Sequence, residues 1–127
     1  MSDARHATGI HQLAIPCQDV PRATAFYRDA LGIQFLFEMT GLAFFQCGGV
    51  RLMLTPASVD GVEPLASVIY FSTDDIEGAT AAAVADGAEL VHAAHLIAKL
   101  PGRDVWLSHW KDTEGNLMSF MQEKPAS

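Results

Sequence analysis

Apolar and polar positions alternate from the start of the interpretable chain. In "IHQLAIPC" (10–17), Leu13, Ile15 and Cys17 fall on one face of a strand and Gln12, Ala14 and Pro16 on the other. The period then changes. Through "VPRATAFYRDAL" the apolar residues Val20, Ala23, Tyr27 and Leu31 recur at helical spacing. Asp19 stands where a helix cap belongs, Pro21 suits the first turn and Gly32 the stop. Three strand-like runs follow, "IQFLFEM", "LAFFQCGG" and "VRLMLTP", divided at Gly41 and at Gly48–Gly49.

The second half repeats this plan. A strand at 67–73 leads to Asp75 as cap, an Ala-rich helix and a terminating Gly87. Strand-like runs "AELVHAAHLIAKL", "DVWLSHW" and "NLMSFMQ" come next, divided by "PGRD" and "DTEGN". The expected organisation is a flexible tail at 1–9, a βαβββ module at 10–56, a linker at 57–66 and a second βαβββ module at 67–123. The expected class is α+β: two tandem modules forming a curved, cup-like mixed sheet with the helices on its outer face.

Alternation also assigns faces. Leu52, Leu54, Ile69, Phe71, Met118 and Phe120 go under the helices. Arg51, Met53, Val68, Tyr70 and Ser119 are left on the open face. Two stretches resist the rule. Of Phe44 and Phe45, one must be core; Phe45 is the candidate wall of the cup. In "DVWLSHW", Trp106, Ser108 and Trp110 share one face and Val105, Leu107 and His109 the other, and both faces are apolar enough to be buried.

Charge and composition narrow the function classes. Lys and Arg total 8 against 15 Asp and Glu, a net charge of −7, and no basic stripe of the kind a nucleic-acid footprint needs is present. No apolar run approaches the ~20 residues that span a bilayer, and "MSDARHATG" lacks the features of a secretory signal. A cytoplasmic location is expected. Cys17 and Cys47 form no CxxC pair and read as free thiols, with one disulfide as the alternative. No nucleophile-elbow or phosphate-loop pattern occurs, so acyl and phosphoryl transfer have no support.

"AFYRDALGI", "GGVRLMLTP", "DDIE" and "DTEGNL" together resemble the vicinal oxygen chelate superfamily of glyoxalase I, bleomycin-resistance proteins and extradiol dioxygenases. The resemblance runs from about Ile10 to Gln122, and its motifs specify fold far better than chemistry. It implies that a metalloenzyme member holds one divalent ion with side chains from the first and last strands of each module. Those positions fall here on Gln12, Met53, Val68 and Ser119. One amide, one thioether, one alkyl group and one hydroxyl are a poor shell for a hard divalent ion.

The expectation is therefore a protein that binds a small aromatic or apolar molecule in the cup without a metal. The alternative is a metal-dependent lyase, isomerase or dioxygenase with relocated ligands. Besides the four positions above, Phe45, Tyr70, Trp106 and Trp110 are candidate aromatic walls, weighed against plain core packing. Arg51 is a candidate carboxylate anchor, weighed against a solvated charge at the rim. His109 is the candidate catalytic residue, although a lone His of this kind is more often packed or solvated. His11 lies one register step from Gln12. His92 and His95, at i and i+3, are sent to opposite faces by a regular strand. The resemblance further implies a homodimer whose partner completes or closes the cups.

Overall fold

The computed structural model describes residues 10–57 and 67–127. The expected tail at 1–9, with His6, and all of the expected linker but Ala57 lie outside the described residues.

Eight strands and two helices follow the anticipated order: β1 (Gln12–Cys17), α1 (Val20–Ala25) continuing into a π-helical turn (Phe26–Ala30), β2 (Gln34–Met39), β3 (Leu42–Cys47) and β4 (Val50–Pro56); then β5 (Ile69–Ser72), α2 (Ile76–Ala85), β6 (Glu89–Leu100), β7 (Arg103–Lys111) and β8 (Leu117–Pro125). They build two mixed four-stranded sheets, ordered β1-β4-β3-β2 and β5-β8-β7-β6. In each, the first strand runs parallel to the last and the remaining pairs are antiparallel. Among the described residues no helix is long and apolar enough to cross a membrane.

Both helices start as their capping residues dictate. Asp19 accepts a hydrogen bond from Arg22 N and Asp75 one from Gly78 N, each at 3.1 Å. Gly78 is required by the second cap, because a Cβ there would lie 2.2 Å from Asp75 Oδ2. The first helix departs from the simple period. Leu31 N donates to Phe26 O at 3.2 Å, a five-residue step that widens the turn. Two adjacent rings, Phe26 and Tyr27, are both buried there, at 4% and 0% exposure.

One core serves both modules. Ile15, Cys17, Leu52 and Leu54 from the first sheet and Phe71, Met118 and Phe120 from the second all pack under the helices. Phe26 crosses the seam to Trp110, with ring centroids 5.9 Å apart. Burial pushes the Cys17 thiol up to about 12, helped by the nearby carboxylates of Glu114 and Asp112, so it is no nucleophile at neutral pH. Cys17 and Cys47 are both free.

The "DTEGN" turn is the polar half of the seam. Buried Asp112 accepts from Tyr27 Oη (2.8 Å), from the backbone N–H of Glu114 and Asn116 (2.8 Å each), and from Asn116 Nδ2 (3.3 Å). Glu114 reaches the start of α1, accepting from the N–H of Gln18 and of Asp19 and from Arg22 Nη2 (2.7 Å). Asn116 Nδ2 also donates to Pro16 O at 2.9 Å. These contacts fix the second module on the end of β1 and on α1.

Thr40 and Gly41, between β2 and β3, both have positive φ, 52° and 78°. That is the two-residue hairpin turn whose twist matches the strands, but a β-branched residue is strained in it. Thr40→Asn is expected to raise stability by about 0.5–1 kcal/mol, read from urea denaturation. No gain would contradict the strain.

Candidate functional site

Each sheet turns one face to the helices and leaves the other open, and the pairing registers show which side chains share the open faces. On the first sheet one row runs Ala14–Met53–Phe44–Phe37 and the next Gln12–Arg51–Gln46–Gln34. Phe37 and Phe44 stack at 4.8 Å with their planes 26° apart, and Phe37 remains exposed. Gln12 Nε2 lies 3.7 Å from Met53 Sδ. Arg51 is half-buried, and its Nε is buried with no hydrogen-bond partner among the described residues. It is more enclosed than the solvated rim charge the sequence suggests.

On the second sheet a single row crosses all four strands: Tyr70 on β5, Ser119 on β8, His109 on β7 and His92 on β6. Ser119 is fully buried, and its Oγ lies 2.5 Å from His109 Nδ1. The Ser119 hydroxyl therefore orients an imidazole. Tyr70 and His109 rings are 6.3 Å apart in edge-to-face contact, and His92 and His109 likewise 6.3 Å. Burial holds His109 below the ordinary imidazole range, with repulsion from His92 and His95 adding to it. Val68 precedes β5, exposed, and brings no donor.

Three expected walls are elsewhere. Phe45 is fully buried in the core, 6.2 Å from Tyr27 and 5.5 Å from Phe35, so Phe44 is the ring on the open face. Trp110 is fully buried on the helix side, against Phe26, Phe71 and Phe120. Trp106 shares that side, half-buried, with Lys124 Nζ 4.6 Å from its ring centroid. The bond between Ser108 Oγ and Thr80 Oγ1 of α2 (2.8 Å) fixes this face of β7, and His109 accordingly points the other way.

His92 and His95 overturn the strand-parity expectation. Register shifts in β6 insert an extra residue between them, so they pair with His109 and Leu107, which share a face. Their rings are 5.5 Å apart. His95 Nδ1 lies 2.8 Å from Ala93 O; a carbonyl only accepts, so Nδ1 carries the proton. The sequence offered no sign of the bulge.

The family's four metal positions do not make a donor shell here. Gln12 and Met53 contact each other, Ser119 is committed to His109, and Val68 has nothing to offer. Among the described residues no group of three or more His, Cys, Asp or Glu is arranged to hold a metal ion. Away from the open faces, a cleft of about 500 Å³ between α1 and the end of α2 is lined by Arg22, Phe26, Asp29, Asp86 and Thr113.

Two βαβββ units that share one core and each leave a sheet face open define a glyoxalase-type architecture. The chain belongs to the Glyoxalase/Bleomycin resistance protein/Dioxygenase superfamily, whose family model matches residues 9–120. It is similar to the crystal structure of lactoylglutathione lyase from Agrobacterium tumefaciens, at 22% identity and TM-score 0.69, covering 91% of this chain and 94% of that one. A glyoxalase-related enzyme from Fulvimarina pelagi gives TM-score 0.74 at 15% identity, covering 91% and 88%. TioX from Micromonospora sp. ML1 gives 0.67 at 22%, covering 90% and 98%. At these identities the likeness is one of fold. A comparison with curated proteins gives no match.

Proposed function

We propose that this protein binds a small aromatic or apolar molecule on the open faces of its sheets, without the divalent metal that metalloenzymes of its superfamily use. The observation that carries the reading is the donor set at Gln12, Met53, Val68 and Ser119. It holds no carboxylate and no imidazole, and the Met53 thioether and the Ser119 hydroxyl are engaged with neighbours. The exposed rings of Phe37 and Tyr70 supply the surface on which a flat ligand stacks.

Closure of these faces by a second copy belongs to the same proposal. Phe37 (43% exposed), Met39 (53%) and Tyr70 (52%) are large apolar or amphipathic groups left open within one chain. The free thiols fit a reducing cytoplasm.

Elemental analysis of dialysed protein, with calorimetry against a panel of aromatic compounds, tests the proposal. Substoichiometric Ni, Zn, Fe and Mn together with at least one binder is the expected result. A full equivalent of metal retained would favour the metal-dependent lyase, isomerase or dioxygenase. Solution mass settles the dimer separately.

A further inference from the structure

The second sheet carries a feature that neither the fold nor the metal question explains. His92, His95 and His109 line up beside Tyr70 on one open face, and the carboxylates of that face stand away from them. The nearest charged neighbours along it are Lys111 on β7 and Glu89 on β6, opposite each other one row beyond His109 and His92. Arg103 and Glu123 occupy the far end, already paired at 2.9 Å. From β5 and β8 the facing groups beside the histidines are Tyr70, Leu117, Ser119 and Met121, and the one carboxylate of β8 on this face is Glu123, paired with Arg103. On a chain of net charge −7, this is a patch prepared for an anion.

The side chains are also oriented for one. His95 spends its Nδ1 proton on Ala93 O, and His109 has its Nδ1 held by Ser119. Each ring therefore keeps Nε2 uncommitted among the described residues, and on protonation each offers an Nε2–H on the face that carries the exposed Tyr70 ring. Protonated together with no anion between them, imidazoles 5.5–6.3 Å apart would repel one another. A carboxylate among them turns that repulsion into attraction. The opposed histidines and the aromatic platform lie in a single row, which suits a ligand whose acid group is attached to a flat ring.

We infer that the ligand of this face is an aromatic carboxylate, held by His92, His95 and His109 with its ring against Tyr70, and that it takes up a proton as it binds. This inference rests on the small-molecule reading above and names its ligand class. Proton uptake fixes the sign of the pH dependence. Affinity rises as pH falls, until the ligand's own carboxyl group protonates near ~4.

The test uses two probes of matched shape, 2-naphthoate and the neutral 2-naphthalenemethanol, titrated by calorimetry at about pH 5.5 and about pH 8. The expected result is naphthoate binding at least ~10-fold tighter at the lower pH, with the alcohol bound equally at both. The exposed pair His92→Gln/His95→Gln is expected to reduce the pH dependence for naphthoate to the part that His109 supplies, with an unaltered circular dichroism spectrum as the folding control; a pH dependence as large as that of the unaltered protein would overturn the inference. Equal binding of both probes at both pH values would overturn the carboxylate inference while the small-molecule reading stands. Binding of neither would overturn the reading together with the inference.

Discussion

Replacing Asp112 with alanine is expected to cost about 3–5 kcal/mol of folding stability. The carboxylate is 4% exposed and takes four donors: the Tyr27 hydroxyl, the side-chain amide of Asn116 and two backbone N–H groups. Removing it leaves the Tyr27 hydroxyl and the two backbone N–H groups without that partner, and a buried unsatisfied donor costs far more than an average hydrogen bond contributes. Burial and the adjacent Asp112 carboxylate hold the Tyr27 phenol well above its ordinary range, so it stays a donor across the whole accessible pH span.

Smaller changes at the same place separate the parts. Tyr27→Phe removes one donor and leaves Asp112 three, so about 1–2 kcal/mol is expected. Asp112→Asn keeps an oxygen for the two backbone N–H groups but turns an amide N–H toward Asn116 Nδ2, and should fall between. Urea denaturation at constant m-value reads all three. With total stabilities of 5–15 kcal/mol common for domains, the alanine variant sits near the threshold of folding. A cost below about 1 kcal/mol would mean that the seam between the modules is held by its apolar contacts alone.

The split between what could and could not be read from the chain has physical causes. Strands whose two faces differ in polarity declared themselves. Ile15, Cys17, Leu52, Leu54, Phe71, Met118 and Phe120 are all buried as alternation requires, because their neighbours Gln12, Arg51, Tyr70 and Ser119 are polar or amphipathic. β7 did not, since Val105 and Leu107 are as apolar as Trp106 and Trp110, and both sets are largely buried. The Ser108–Thr80 bond and the contacts of Trp110 with Phe26, Phe71 and Phe120 decide the face, and they exist only in the folded chain. Phe44 and Phe45 pose the same ambiguity within one strand.

Bulges hide in a different way. The extra residue between His92 and His95 has no compositional mark, and it converts an expected separation into a cluster. Ser119 was legible as an open-face residue, whereas its partnership with His109 depends on the pairing register of two strands. The motif "DTEGN" was legible as a turn, while the cross-module reach of Asp112 and Glu114 required tertiary structure.

Trp110 offers the sharpest way to tell a core ring from a ligand wall. It is fully buried, stacked on Phe71 at 6.4 Å and tilted against Phe120 at 5.1 Å and Phe26 at 5.9 Å. Trp110→Ala is expected to cost about 3–5 kcal/mol, the sum of lost transfer energy and an unfilled cavity at the junction of both modules. Its Nε1–H is buried with no hydrogen-bond partner among the described residues, so part of what the indole contributes is offset by a desolvated donor. Trp110→Phe therefore keeps a ring, drops the unpaired donor and should cost only about 1 kcal/mol. Because His109, on the opposite side of β7, carries the open face, the phenylalanine variant is expected to bind aromatic probes as the unaltered protein does. Full stability with a lost binder would return Trp110 to the ligand's side of the sheet; full binding with lost stability keeps it in the core, where its three ring neighbours already hold it.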